Sequence, residues 1–158
     1  MSLRVVISAS RTIPAPPAAV WRAFCRLAAW PPPPGGAVLL PLGRRERVPV
    51  EEVAWRPGQW AAWRGRWRGV AVRQRVVFRP VGRGTLVEWR EELEGWALIW
   101  WRLCYSPRRL GRGVQAWLSA LAAAAEDEAG EPSAGRRSQP SSRGWIQEAA
   151  RPMRPDTR

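Results

Sequence analysis

The sequence predicts an α+β domain in which a curved antiparallel sheet wraps around one long C-terminal helix. Three observations predict it. The alternating segment Leu3 to Ile13 runs into a proline-opened helix, and a series of strand-length segments with short turns follows. The chain then changes period, with Leu110, Val114, Trp117, Leu118, Leu121 and Ala125 at steps of three and four. A last helix with one apolar stripe has the sheet as its packing partner. Against a curved sheet it is expected to leave an internal cavity, and apolar cavities with few polar groups suit ligands.

Each element has its own signal. Leu3, Val5, Ile7 and Ala9 share one face of the first strand. Pro14, Pro16 and Pro17 stop that strand, and Pro16 or Pro17 opens a helix to about Leu27, because a first-turn proline loses no needed hydrogen bond. Val20, Trp21, Phe24 and Leu27 form its expected buried side. Trp30 precedes Pro31-Pro32-Pro33-Pro34-Gly35-Gly36, a stiff and then flexible connector that reads as a loop rather than as a ligand for a proline-binding module.

Strands are expected over Ala37 to Leu42, Val48 to Arg56, Gln59 to Arg66, Arg68 to Pro80 and Thr85 to Leu93. Pro57-Gly58 and Gly82-Arg83-Gly84 turn the chain, and Gly65 and Gly69 are expected to flank the bend between the middle pair. In the clearest strand, Val70, Val72, Gln74, Val76 and Phe78 share one face, and Arg73, Arg75 and Arg79 the other. Val87, Trp89, Glu91 and Leu93 form the expected inward face of the last strand. Ala97 to Tyr105 reads as helical, and the long helix runs from Pro107 to about Glu126. Glu126, Asp127 and Glu128 oppose its dipole, which predicts fraying there. Residues 1–129 form the expected ligand-binding domain. Residues 130–158, rich in Ser, Pro, Gly and Arg, form an expected disordered basic tail, with Trp145 and Ile146 as its apolar exceptions.

Composition narrows the chemistry. The 158 residues suffice for one domain with a proper core. With no His, the commonest general base and metal ligand is missing. Cys25 and Cys104 lack a metal-binding spacing, so no metal site, Ser-His-Asp triad or Cys-His dyad is expected, and no cofactor. No apolar run is long enough to cross a bilayer, and the N-terminus has no signal-peptide pattern, so a cytoplasmic location is expected. The net charge is +13 and every basic residue is Arg. Together with abundant Ala, Gly, Pro and Trp, this resembles codon drift in a GC-rich genome. That origin weakens a reading of the charge as a nucleic-acid footprint.

Ala15-Pro16-Pro17-Ala18-Ala19-Val20-Trp21 near the start and Val81-Gly82-Arg83-Gly84-Thr85-Leu86-Val87 before the last helix, in that order and spacing, resemble the START-like, helix-grip superfamily (SRPBCC). Within it, the pattern is similar to the bacterial polyketide cyclase/dehydrase group, over about Leu3 to Glu126. The resemblance implies a sheet gripping the C-terminal helix over an apolar cavity. It implies binding of lipids, quinones or polyketide-like molecules, with cyclisation or dehydration in some members. It carries over no catalytic residue. The Arg and Trp content and the proline connector depart from the family pattern.

The candidate ligand-binding residues are Trp63, Val72, Gln74, Val76, Trp89 and Leu118, with Gln74 as a polar anchor. Trp60 and Trp63 have opposite parity, so one faces out, and the resemblance implies Trp63 inside; Trp55 joins the lining if it points inward. Gln74 and Glu91 are the polar residues on otherwise apolar faces, unless a bulge turns them to solvent. A buried Glu91 needs a partner or a proton. Arg11, of matching parity on a strand expected beside the last one, is the natural partner. A structural Arg11–Glu91 pair is preferred to a catalytic acid.

Three functions compete: a carrier of a small hydrophobic molecule, a cyclase or dehydrase using Gln74, Glu91 and Arg11, and a weak nucleic-acid or anionic-surface binder. Tail arginines such as Arg136 and Arg143 offer contacts to a polyanion or to acidic lipid headgroups at a membrane surface, although a solvated tail is the plainer reading. The scarcity of acids and phenols favours the carrier.

Overall fold

Alternating side chains make β1 (Arg4–Ile13) in the computed structural model, which describes residues 3–33, 35–41, 45–99 and 107–130. Ile7 and Ile13 are buried on its inner face, with Leu3, Val5 and Ala9 partly so. Extended Pro16 then leads into α1 (Pro17–Ala28), whose first-turn proline needs no amide partner. This helix buries Ala19, Val20, Ala23 and Phe24. Leu27, expected on the same side, is 42% exposed. Left-handed Ala29 ends the helix just beyond it, and the Trp30 N–H donates back to the Cys25 carbonyl at 2.8 Å, so Trp30 takes the buried place instead.

Five strands follow: β2 (Ala37–Pro41), β3 (Arg45–Arg56), β4 (Trp60–Trp67), β5 (Val70–Val81) and β6 (Gly84–Glu94). All neighbours are antiparallel, and the sheet order is β1-β6-β5-β4-β3-β2. Short turns make consecutive strands adjacent, and the first strand closes beside the last. Arg68 and Gly69, both with positive φ, form the two-residue turn between β4 and β5, the geometry that matches strand twist. Gly65 is not at that bend. It lies inside β4 opposite Val50, beside a bulge in β3, where a Cβ atom would collide with the Pro49 carbonyl oxygen.

The last helix, α2 (Pro107–Gly130), buries Leu110, Val114, Leu118, Leu121 and Ala125, with Trp117 partly buried beside them. It does not stop at Glu126. Glu128 accepts from Arg26 at 2.7 Å and from Arg22 at 3.3 Å, both on α1. Two cations from a neighbouring helix thus offset a carboxylate that the helix dipole alone disfavours. Both helices pack on one face of the sheet, where Phe24 and Phe78 meet at 5.3 Å, Phe24 and Trp117 at 6.0 Å, and Trp89 and Trp117 at 4.8 Å between ring centroids. Leu98 and Ile99 start a helical turn, while the rest of the Ala97–Tyr105 helix expectation falls outside the described residues. So do Cys104 and the basic-tail expectation beyond Gly130. No described helix is long and apolar enough to cross a membrane.

Candidate functional site

Antiparallel register turns separate residues into transverse rows on the helix-covered face. One row reads Ile7, Glu91, Gln74, Trp63 and Val53 across β1, β6, β5, β4 and β3. The row toward one end holds Ala9, Trp89, Val76 and Ala61, and the row toward the other holds Val5, Leu93, Val72 and Gly65. Trp63, Val72, Gln74, Val76 and Trp89 are therefore clustered on three adjacent strands, all buried, and fully buried Leu118 belongs to the helix above that face. Trp55 shares this face, opposite Ala61 at the end of its row, but it is 37% exposed and packs edge-on against Trp30 at 6.2 Å.

The middle row carries the polar chemistry. The Trp63 indole N–H donates to Gln74 Oε1 at 2.8 Å, a buried bond that fixes the amide orientation. Gln74 faces Glu91 directly across β5 and β6. Glu91 is wholly buried and neither carboxyl oxygen makes a well-formed hydrogen bond; the indole N–H of Trp89, two residues away, lies near the carboxyl without a well-aligned bond to it. Burial pushes the Glu91 carboxyl up to about 7, while the nearby Trp89 N–H draws it partly back. This carboxyl sits where proton exchange at neutral pH is accessible.

Arg11 does not pair with Glu91. The register sets Arg11 opposite Val87 and Ile7 opposite Glu91, so the two charges lie four residues apart along the sheet, about 13 Å. Arg11 instead donates to Ser119 Oγ on α2 at 2.9 Å, near the surface. Parity placed both residues on one face; register kept them apart.

A second concavity lies on the opposite face of the sheet. A groove of about 790 Å³ is lined by outward side chains including Arg64, Arg73, Arg75, Arg90, Glu52 and Glu92. Arg64 stands opposite Arg73, and Arg75 opposite Arg90, juxtapositions of like charge that sequence alone did not reveal. Glu52 binds Arg64, and Glu92 binds Arg90 at 2.9 Å and Arg4 at 2.7 Å. The glutamates pair with Arg64 and Arg90, so the groove's arginines are interrupted by carboxylates. Among the described residues no cluster of His, Cys, Asp and Glu is arranged to hold a metal. Cys25 is a free, half-buried thiol, pushed up to about 11 by burial.

No protein-family model matches the chain, nor does any curated protein. Solved structures match in fold. A Thermus thermophilus protein is 18% identical with a TM-score of 0.58, over 78% of this chain and 98% of its own. A Chromobacterium violaceum protein is 23% identical with a TM-score of 0.53, over 77% of this chain and 96% of its own. The Zhui aromatase/cyclase from Streptomyces sp. R1128 is 14% identical with a TM-score of 0.52, over 78% of this chain and 94% of its own. At these identities the likeness is one of fold.

Proposed function

The helix-grip fold, shared with an aromatase/cyclase, is the premise from which we propose that this chain binds a small hydrophobic molecule between the sheet and α2, its polar group at the Trp63–Gln74–Glu91 row. One observation carries the reading. A fully buried carboxyl with two unpartnered oxygens stands on an otherwise apolar face, beside an amide held in one orientation. Buried polar groups without partners are rare and costly in native proteins, and a bound molecule is one thing that supplies partners. A polyketide-like or other aromatic ligand is the first class to try, with isoprenoids and lipids next.

A second reading is favoured by the position of the Glu91 carboxyl near neutrality. It is the one described side chain on the inner face suited to give or take a proton, so a cyclase or dehydrase chemistry would run through it. Arg11 has no place in that chemistry. A polyanion-binding role is disfavoured by the glutamates interleaved with the outer-face arginines.

Native mass spectrometry of the purified protein tests the carrier reading by detecting a co-purifying small molecule. Tryptophan emission then follows its rebinding. Trp89→Ala should weaken binding, and Arg73→Ala, on the outer face, should not. Equal binding by both variants would sink the proposal.

A further inference from the structure

Glu91 is an acid without a counter-ion in a chain whose 26 basic residues are all arginines. None of them reaches it among the described residues. The strand residues around it on the buried face are apolar: Ile7 on β1, Val72 and Val76 on β5, and Trp89 and Leu93 on β6, with α2 contributing its own buried residues Val114, Leu118 and Leu121 to the same core. Arg11, on the same face of β1, is exposed and engaged by Ser119, and the Cys25 thiol on α1 is half-buried. Gln74, its direct neighbour, is neutral and has its oxygen already occupied by Trp63.

From this geometry we infer that the polar end of the interior site takes a cation, the protonated amino group of an otherwise apolar molecule, seated on the Glu91 carboxylate. The inference rests on the ligand-binding reading above and names the class of ligand. Three features support it. Neither carboxyl oxygen has a well-formed hydrogen bond, with only the Trp89 N–H nearby, and a primary ammonium brings three N–H donors, enough for both at once. A neutral carbonyl compound would find donors in a protonated Glu91 hydroxyl and the Trp89 N–H, but would leave an ionised Glu91 uncompensated. The surroundings are also aromatic: Trp89 lies two residues away on the same face, packed at a tilt against Trp117, and Trp63 lies across Gln74. Aromatic rings attract cations in desolvated sites. Finally, a buried carboxylate gains most from an opposite charge that arrives with the ligand, since neither then remains uncompensated.

The two ligand classes have opposite pH signatures. An ammonium binds the ionised carboxylate, so its affinity rises as pH increases through the Glu91 titration, near 7. A carbonyl acceptor binds the protonated form and weakens over the same range. The net charge of +13 repels cations in general, so a preference for an amine has to be local.

The test uses the full chain and two probes with one apolar body, 2-naphthylmethylamine and 2-naphthylmethanol, titrated by calorimetry at about pH 8 and about pH 5.5, on either side of the Glu91 titration. The amine should bind at least about tenfold tighter than the alcohol at the higher pH. That preference should vanish at the lower pH and in Glu91→Gln. An alcohol that binds as well as the amine at the higher pH overturns the cation assignment and leaves the ligand-binding reading standing. So does an amine preference that survives Glu91→Gln or grows as pH falls. If neither probe binds, both readings fall. Should Glu91→Gln not fold, the pH arm on the unaltered chain decides alone.

Discussion

Gln74 and Glu91 stand opposite each other on the buried face of β5 and β6, yet only Gln74 has a hydrogen bond. The amide oxygen is taken by the Trp63 indole, and the carboxyl is left to the interior. That asymmetry makes the row more than a structural network: one polar member is fixed and the next is open.

Glu91 should make stability fall with rising pH. Folding raises this pKa from 4.5 to about 7, so the native state keeps a proton that the unfolded chain has released within that window. The contribution is fully present below about pH 4.5, is lost as pH rises, and levels off above about pH 7. Glu91→Gln should flatten that limb and, at about pH 8, stabilise the fold by up to on the order of 3 kcal/mol. Chemical denaturation across pH measures it. Arg11→Ala should leave the limb unchanged, and a shift in it would revive a coupling between the two charges.

Trp63→Phe should leave Gln74 Oε1 buried without its donor, costing about 1–2 kcal/mol beyond the packing change. Adding Gln74→Leu should recover part of that loss. A double-mutant cycle in urea should give a coupling of about 1 kcal/mol. Strict additivity would mean that the bond contributes nothing.

Glu128→Gln should loosen the end of α2 from α1, since Glu128 alone receives both Arg22 and Arg26. The guanidinium groups are well exposed, so the expected loss is only about 0.5–1 kcal/mol, and high salt should erase the difference between variant and parent. Amide exchange in the last turn of α2 should quicken at the same time. An unaltered exchange rate would show that the helix end is held by other contacts.

Removing residues 131–158 should leave cooperative melting within about 2 °C of the full chain, because their composition offers little apolar surface to offset chain entropy. A clearly lower Tm would show that the segment docks on the domain, with Trp145 and Ile146 the first residues to examine.

Periodicity alone located much of this protein. The alternation of β5 marked Gln74 as an inward polar residue, that of β6 marked Glu91, and the parity of β4 put Trp60 and Trp63 on opposite faces, the family resemblance choosing Trp63 for the inside. The stripe from Leu110 to Ala125 identified the helix that covers them. These are local properties: which face a side chain takes follows from the backbone repeat within a few residues. Register is not local. It depends on turns and bulges such as Arg68-Gly69 and the irregularity at Val50 and Glu52, whose offsets set which residues meet across strands. Only the tertiary structure therefore decided that Gln74 meets Glu91, that Arg11 lies four residues away and bonds Ser119, and that Arg64 confronts Arg73. It also decided that Glu128 finds two arginines on another helix where the helix dipole predicted fraying. The sequence chose the faces; the fold chose the partners, because a partner is fixed by chain geometry summed over distant segments.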